Sequence, residues 1–120
     1  MRRVGEALEA LEGVVAARKA DPSTRSYTSR LLAGGVAAIG AKVNEEAAEL
    51  VAAAALETDE RVVSEAADLV YHTLVLLAFR GVPLSRVEDE LASRFGVSGL
   101  DEKAARGSAQ SAAPPKRAAP

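Results

Sequence analysis

The sequence predicts an all-α protein of four main helices and one short one, an antiparallel bundle completed by oligomerisation. Of its 120 residues 26 are Ala, 13 Leu and 13 Val, against two Phe, two Tyr and no Trp. Alanine on that scale combines the best helix propensity with weak strand preference. Apolar residues recur at helical steps of three and four, and no segment alternates as a strand would. A core of Ala, Val and Leu offers little buried area per residue, so a chain this small gains by hiding surface against further copies. A homodimer or higher homo-oligomer is expected.

Val4, Leu8, Leu11 and Val15 trace one face of the first helix, which Asp21-Pro22 ends. The polar stretch from Pro22 to Thr28 offers Ser26 or Thr28 as cap for a short helix carrying Leu31 and Leu32, stopped or bent at Gly34-Gly35. A long helix should run from about Val36 to Leu56. Thr58, followed by Asp59 and Glu60, is placed to cap the next, which continues to Arg80 with Gly81 at its end. Ser85 and Glu88 have the spacing of a capping box, opening a last helix through Val87, Leu91 and Phe95 that stops at Gly96. Residues 1–106 make the folded domain. Beyond Gly107 there is no apolar anchor larger than alanine apart from proline, so 107–120 is expected to be a disordered tail.

The formal net charge is −2, and the last twenty residues contribute +2, leaving the body acidic. Such a body has no electrostatic footprint for nucleic acid. With no cysteine there is no disulfide, zinc-thiolate site or thiol nucleophile, and any metal must be held by oxygen or by the single His72. Met1-Arg2-Arg3 starts like a signal peptide, but Glu6, Glu9 and Glu12 interrupt any apolar stretch. The longest uncharged apolar run, Leu69 to Phe79, is too short to span a bilayer. A cytoplasmic protein with no membrane partner is expected.

The functional signal lies in charges on otherwise apolar helices. The helix from Val36 to Leu56 is apolar almost all round, which predicts burial over most of its circumference, in a bundle or at a dimer contact. Its only charges are Lys42, Glu45, Glu46 and Glu49, and at 3.6 residues per turn all four share one arc roughly 100° wide. Between Val62 and Phe79 the only charges are Glu65 and Asp68, with His72 one turn further along. The short Glu57-to-Arg61 connection places the two stripes on facing antiparallel neighbours. Glu46, Glu49, Glu65 and Asp68 then converge, and repulsion and desolvation call for a cation between them. All-oxygen ligation suits a hard divalent ion, Mg²⁺ or Mn²⁺, which draws remaining ligands from water and substrate phosphate. The competing reading is a solvated face on which Lys42 forms ordinary helix ion pairs with Glu45 and Glu46. His72 is either a ligand or a hydrogen-bonded core residue, and Tyr71 is expected to pack. Ser26, Tyr27, Thr28 and Arg30, in a polar stretch before a helix, are placed to contact an anion.

Glu45-Glu46-x-x-Glu49, fifteen intervening residues and Glu65-x-x-Asp68 resemble the paired acidic motif of the all-α, MazG-like nucleotide pyrophosphohydrolases. Further marks narrow the resemblance to the phosphoribosyl-ATP pyrophosphatases of histidine biosynthesis. They are Ser26-Tyr27-Thr28 with Leu31, Gly35 before Lys42-Val43, Glu65-Ala66-Ala67-Asp68-Leu69-x-Tyr71-His72, and Ser98-Gly99-Leu100-x-Glu102-Lys103-Ala104-x-Arg106. Together they cover roughly residues 6 to 106. One departure is Asn44, where the family ordinarily has Gly.

The resemblance implies Mg²⁺-dependent hydrolysis of phosphoribosyl-ATP, a small-molecule nucleotide substrate, to phosphoribosyl-AMP and pyrophosphate. It assigns Glu46, Glu49, Glu65 and Asp68 to the metal, with charge stabilisation at the triphosphate as the main contribution. Glu45, at the edge of the arc, is the expected catalytic residue that orients or deprotonates water. Lys42, Arg30, Ser26 and His72 are the expected substrate-binding residues. A house-cleaning nucleoside triphosphate pyrophosphatase would share the acids. A di-iron bundle would want Glu-x-x-His on two helices, and a non-enzymatic helical dimerisation module would use the acids only to fix register.

Overall fold

A computed structural model of the chain describes residues 3–95. Four helices follow one another, α1 (Glu6–Ala20), α2 (Tyr27–Leu56), α3 (Asp59–Arg80) and α4 (Leu84–Arg94), with no strand among the described residues. The chain divides into two units, residues 1–84 and 85–120. The first holds α1 to α3 and all the acids at issue. The second contributes α4, on which Arg94 Nε donates to Glu90 Oε2 at 2.9 Å, an i, i+4 pair. The expected tail and the Ser98 to Arg106 motif lie outside the described residues.

α2 and α3 form the body of the first unit. Ser26 caps α2, its hydroxyl accepting from the Ser29 N–H at 3.1 Å. The expected short helix and long helix are one element with a break at Gly35, whose φ of 69° and ψ of −161° no side-chain-bearing residue adopts cheaply. Thr58 caps α3 by accepting from the Arg61 N–H at 3.3 Å. At the far end Gly81, with φ 74°, closes the helix, and the Val82 N–H reaches Leu77 O at 2.9 Å, a Schellman ending.

The core is small. Val15 of α1, Leu31 and Ile39 of α2 and Val75 of α3 are buried together, with Leu11, Leu32, Val43, Tyr71, Leu76 and Ala78 packed around them. Lys19 Nζ of α1 donates to Ala78 O in the last turn of α3 at 2.7 Å, and Glu12 Oε2 of α1 accepts from the Leu84 N–H, just past the connection that follows α3, at 2.7 Å.

One sequence expectation needs correction. Helix α4 starts at Leu84, so Ser85 lies inside it and is not its cap; the free Leu84 N–H is met instead by Glu12, 72 residues earlier. The segment from Val36 to Leu56, expected to be buried in a bundle or at a dimer contact, is covered along one stripe within the single chain. Only Ile39, Glu46 and Ala53 of it are buried, one stripe at heptad spacing, while Val36, Val51 and Leu56 are exposed, Leu56 to 86%. Within one chain α3 covers a single side of it, because α1 is short and packs near the opposite end of α3.

α3 is 22 residues long and apolar enough in composition to cross a bilayer. It carries Glu65 and His72 in its interior-facing stripe, both buried, alongside Leu74 and Val75, which is the pattern of a core helix packed on α2.

Candidate active site

Glu46 on α2 and Glu65 on α3 are the buried acids of the first unit, at 6% and 4% exposure. Both are buried for the reason the core is: each lies on the stripe its helix turns toward the other. With Asp68 they form a group whose carboxylate oxygens lie within 4.8 Å of one another, and Glu45, Glu46 and Glu49 form a second such group sharing Glu46. The structure therefore brings together all five acids expected from the sequence. Asp68, Glu49 and Glu45 are exposed at the rim.

Each buried acid has one oxygen held by a cation and one left over. Lys42 Nζ lies 3.2 Å from Glu45 Oε1 and 3.7 Å from Glu46 Oε2. Across the cleft the Arg61 guanidinium bonds Glu65 Oε2 through Nη2 and Glu57 Oε1 through Nε, the latter at 3.0 Å. Glu46 Oε1 and Glu65 Oε1 are buried with no hydrogen-bond partner. An unpartnered buried carboxylate oxygen is costly, and two of them in one cleft are what a hard cation would satisfy. The donor set, all carboxylate, suits Mg²⁺ or Mn²⁺; the residues present fit such an ion.

The electrostatics agree. Burial, then the close approach of the Glu65 carboxyl and the charge of Asp68, push the Glu46 carboxyl above its ordinary value. Contact with Glu65, then desolvation, raises Glu49. Burial acts to raise Glu65 as well, but contacts with Glu49, Glu46 and Arg61 outweigh it and hold that carboxyl low. Carboxyls this close and this enclosed thus oppose one another's ionisation.

Beside the acids stands an aromatic wall that the break at Gly35 makes possible by folding the start of α2 back toward α3. The His72 Nδ1–H donates to Asp68 O at 2.8 Å, and Nε2, 2.9 Å from the Tyr27 hydroxyl, shares a hydrogen bond with it. Thr28 Oγ1 and the Tyr71 hydroxyl share a hydrogen bond, and the Tyr27 and Tyr71 rings stack with centroids 6.2 Å apart. His72 is buried with both ring nitrogens engaged. Ser26 is used as a helix cap, and Arg30 is exposed, its Nη1 donating to Thr24 O at 3.3 Å. Of the four expected substrate-binding residues, only Lys42 stands among the acids.

Sequence reasoning passed over Arg61 and the pairing of Tyr27 with His72. The signal for Arg61 was present, since it lies four residues after Glu57 and four before Glu65, the spacing of helical ion pairs. Nothing local pointed to Tyr27, whose partner is 45 residues away.

The model of the phosphoribosyl-ATP pyrophosphohydrolase family matches residues 8–95, a span that contains every residue of the cleft. The chain belongs to this family. It is 50% identical over 99 residues, 82% of this chain and 92% of the relative, to the phosphoribosyl-ATP pyrophosphatase of Pelobacter propionicus. To that of Erythrobacter litoralis it is 54% identical over 101 residues, 83% of this chain and 96% of the relative. The phosphoribosyl-ATP pyrophosphatase of Rhodospirillum rubrum is 52% identical over 102 residues, with 84% and 86% covered. Among the phosphoribosyl-ATP pyrophosphohydrolases, then, this chain is matched along nearly the whole length of its relatives.

Proposed function

We infer that the chain hydrolyses phosphoribosyl-ATP to phosphoribosyl-AMP and pyrophosphate, the step that family membership assigns to histidine biosynthesis. The observation that carries the chemistry is the pair of buried, unpartnered oxygens, Glu46 Oε1 and Glu65 Oε1, facing one cleft. Glu46, Glu65 and Asp68, with Glu49 at the rim, would hold Mg²⁺, or Mn²⁺ in its place. When bound, such an ion neutralises triphosphate oxygens and polarises phosphorus.

The chain's own groups supply the rest. Glu45, exposed beside Glu46, accepts a proton from the attacking water as its oxygen bonds to phosphorus and the anhydride oxygen leaves with pyrophosphate. Lys42, already bridging Glu45 and Glu46, offers its ammonium to a phosphate oxygen. Arg30 keeps guanidinium donors beyond its bond to Thr24, and Ser26 and His72 act by holding the wall against which the nucleotide lies.

The enzyme acts as a homo-oligomer in the cytoplasm. Val36, Val51 and Leu56 on α2 with Val63 and Val70 on α3 are exposed in the single chain, and a surface of this kind is one that a second copy would cover. The reading is tested by pyrophosphate release from phosphoribosyl-ATP beside ATP, dUTP and the other nucleoside triphosphates. Preference for phosphoribosyl-ATP supports it; preference for an ordinary triphosphate points instead to a house-cleaning activity.

A further inference from the structure

Arg61, which takes no part in the proposed hydrolysis, bonds directly to the buried acid of α3. It stands one helical turn from Glu57 and one from Glu65, and it bonds both, through Nε and Nη2 respectively. The Glu65 side chain is 5% exposed and that of Arg61 50% exposed, so the guanidinium reaches in from solvent like a plug. It occupies Oε2 and leaves Oε1 buried without a partner. Among the described residues Arg61 is the one cation bonded to Glu65, since Lys42 serves Glu45 and Glu46 on the other helix.

We propose that Arg61 is the resident counter-cation of the cleft, which holds Glu65 in the metal-free chain and with which a divalent cation must compete. Two effects act in the same direction. A divalent ion drawing on Glu65 must share or displace a charge-assisted bond, and the guanidinium left nearby repels the ion. The opposing effect, loss of orientation at Glu65, is the smaller, because Glu65 is fixed by its place in the packed stripe of α3. Arg61 thereby sets the metal concentration at which the site fills, and it keeps the acidic cleft folded when no metal is present. This inference rests on the metal-site reading of Glu46, Glu65 and Asp68.

The test is Mn²⁺ binding to the full chain, read by calorimetry or by loss of the free-ion paramagnetic signal, with melting curves in chelator and in excess Mn²⁺. Arg61→Gln should bind Mn²⁺ roughly three- to tenfold more tightly than wild type, the upper end limited by solvent screening of a half-exposed pair. It should also melt lower in chelator and recover most of that loss in Mn²⁺. Arg61→Lys, which keeps the charge, should stay within about twofold of wild type by the same reasoning. Wild type that binds Mn²⁺ while Arg61→Gln binds it equally or less tightly overturns the counter-cation role alone. An equal loss of melting temperature with and without Mn²⁺ would also overturn it, assigning Arg61 a purely structural part. If wild type itself takes up no Mn²⁺, the metal site falls, and this inference with it.

Discussion

Replacing Glu46 by Gln removes one charge from the most enclosed pair of carboxylates while keeping the side chain's size and hydrogen-bonding capacity. Glu46 Oε1 and Glu65 Oε1 are both buried and unpartnered by the chain's own donors, and each such group costs about 1–3 kcal/mol. The new amide can donate to the Glu65 carboxylate, which meets one of the two and removes the repulsion between them. The loss on the other side is the Lys42 contact at 3.7 Å, with the lysine side chain 32% exposed, a screened pair of small value. The net expectation is a gain of about 1–2 kcal/mol in chelator, and for a domain of this size that is a rise of roughly 4–16 °C in Tm. Wild type, by contrast, should gain about 2.7 kcal/mol at Mg²⁺ a hundredfold above its dissociation constant, and the variant almost none of it. Turnover should fall roughly 100-fold or more, as for loss of a metal ligand's support. Thermal melts with and without Mg²⁺, run beside pyrophosphate release, read all three. A variant that melts lower than wild type in chelator, or that keeps the Mg²⁺-induced shift, refutes the reasoning and favours a solvated ion-pair face.

Glu45→Gln should abolish turnover while leaving Mn²⁺ affinity within a few-fold of wild type, which separates the proton acceptor from the metal ligands; loss of Mn²⁺ binding would reassign Glu45 to the metal. Glu46 and Glu49 are held above their ordinary values, chiefly by burial and by contact with Glu65 respectively, so the folded chain binds protons more tightly than the unfolded one. Metal-free Tm should therefore rise as pH is lowered from neutral toward the ordinary carboxylate range. Glu65, held low, loses its contribution only below that range, and saturating Mg²⁺ should flatten the upper part of the profile; a metal-free Tm that falls steadily from neutral pH would contradict this. Gly35→Ala should lower Tm through backbone strain of about 1–3 kcal/mol, because the added Cβ meets only the Phe79 ring at 3.7 Å; an unchanged Tm would show that the break at Gly35 is not needed. Deleting residues 108–120 should leave activity and Tm nearly unchanged, as that segment has no apolar anchor, and a large loss of either would show that it docks.

How far the sequence could be read depended on the range of the interactions. Thr58 and Gly81 announced the ends of α3 because caps are local, and the two acidic stripes announced the cleft because helical periodicity alone sets their faces. Ser85 misled because the cap of α4 comes from Glu12, and no local pattern reports a partner 72 residues away. Tyr27 and His72 were likewise joined only by the fold-back at Gly35, a break whose place was evident in Gly34-Gly35 but whose direction was not. The apolar circumference of residues 36–56 announces burial in a bundle or at a dimer contact, and composition does not say which, because it does not tell whether the covering surface belongs to the same chain. Arg61 was within reach of the rules and was passed over because it sat in what looked like a mere connection.

The most direct test of the central claim is a crystal of the chain grown with Mn²⁺ and measured at a wavelength where manganese scatters anomalously. A peak is expected in the cleft between α2 and α3, within bonding distance of oxygens from Glu46, Glu65 and Asp68, with Glu49 directly on the ion or one water away. A peak elsewhere, or none at saturating Mn²⁺ with Lys42 and Arg61 still closing the acids, would contradict it.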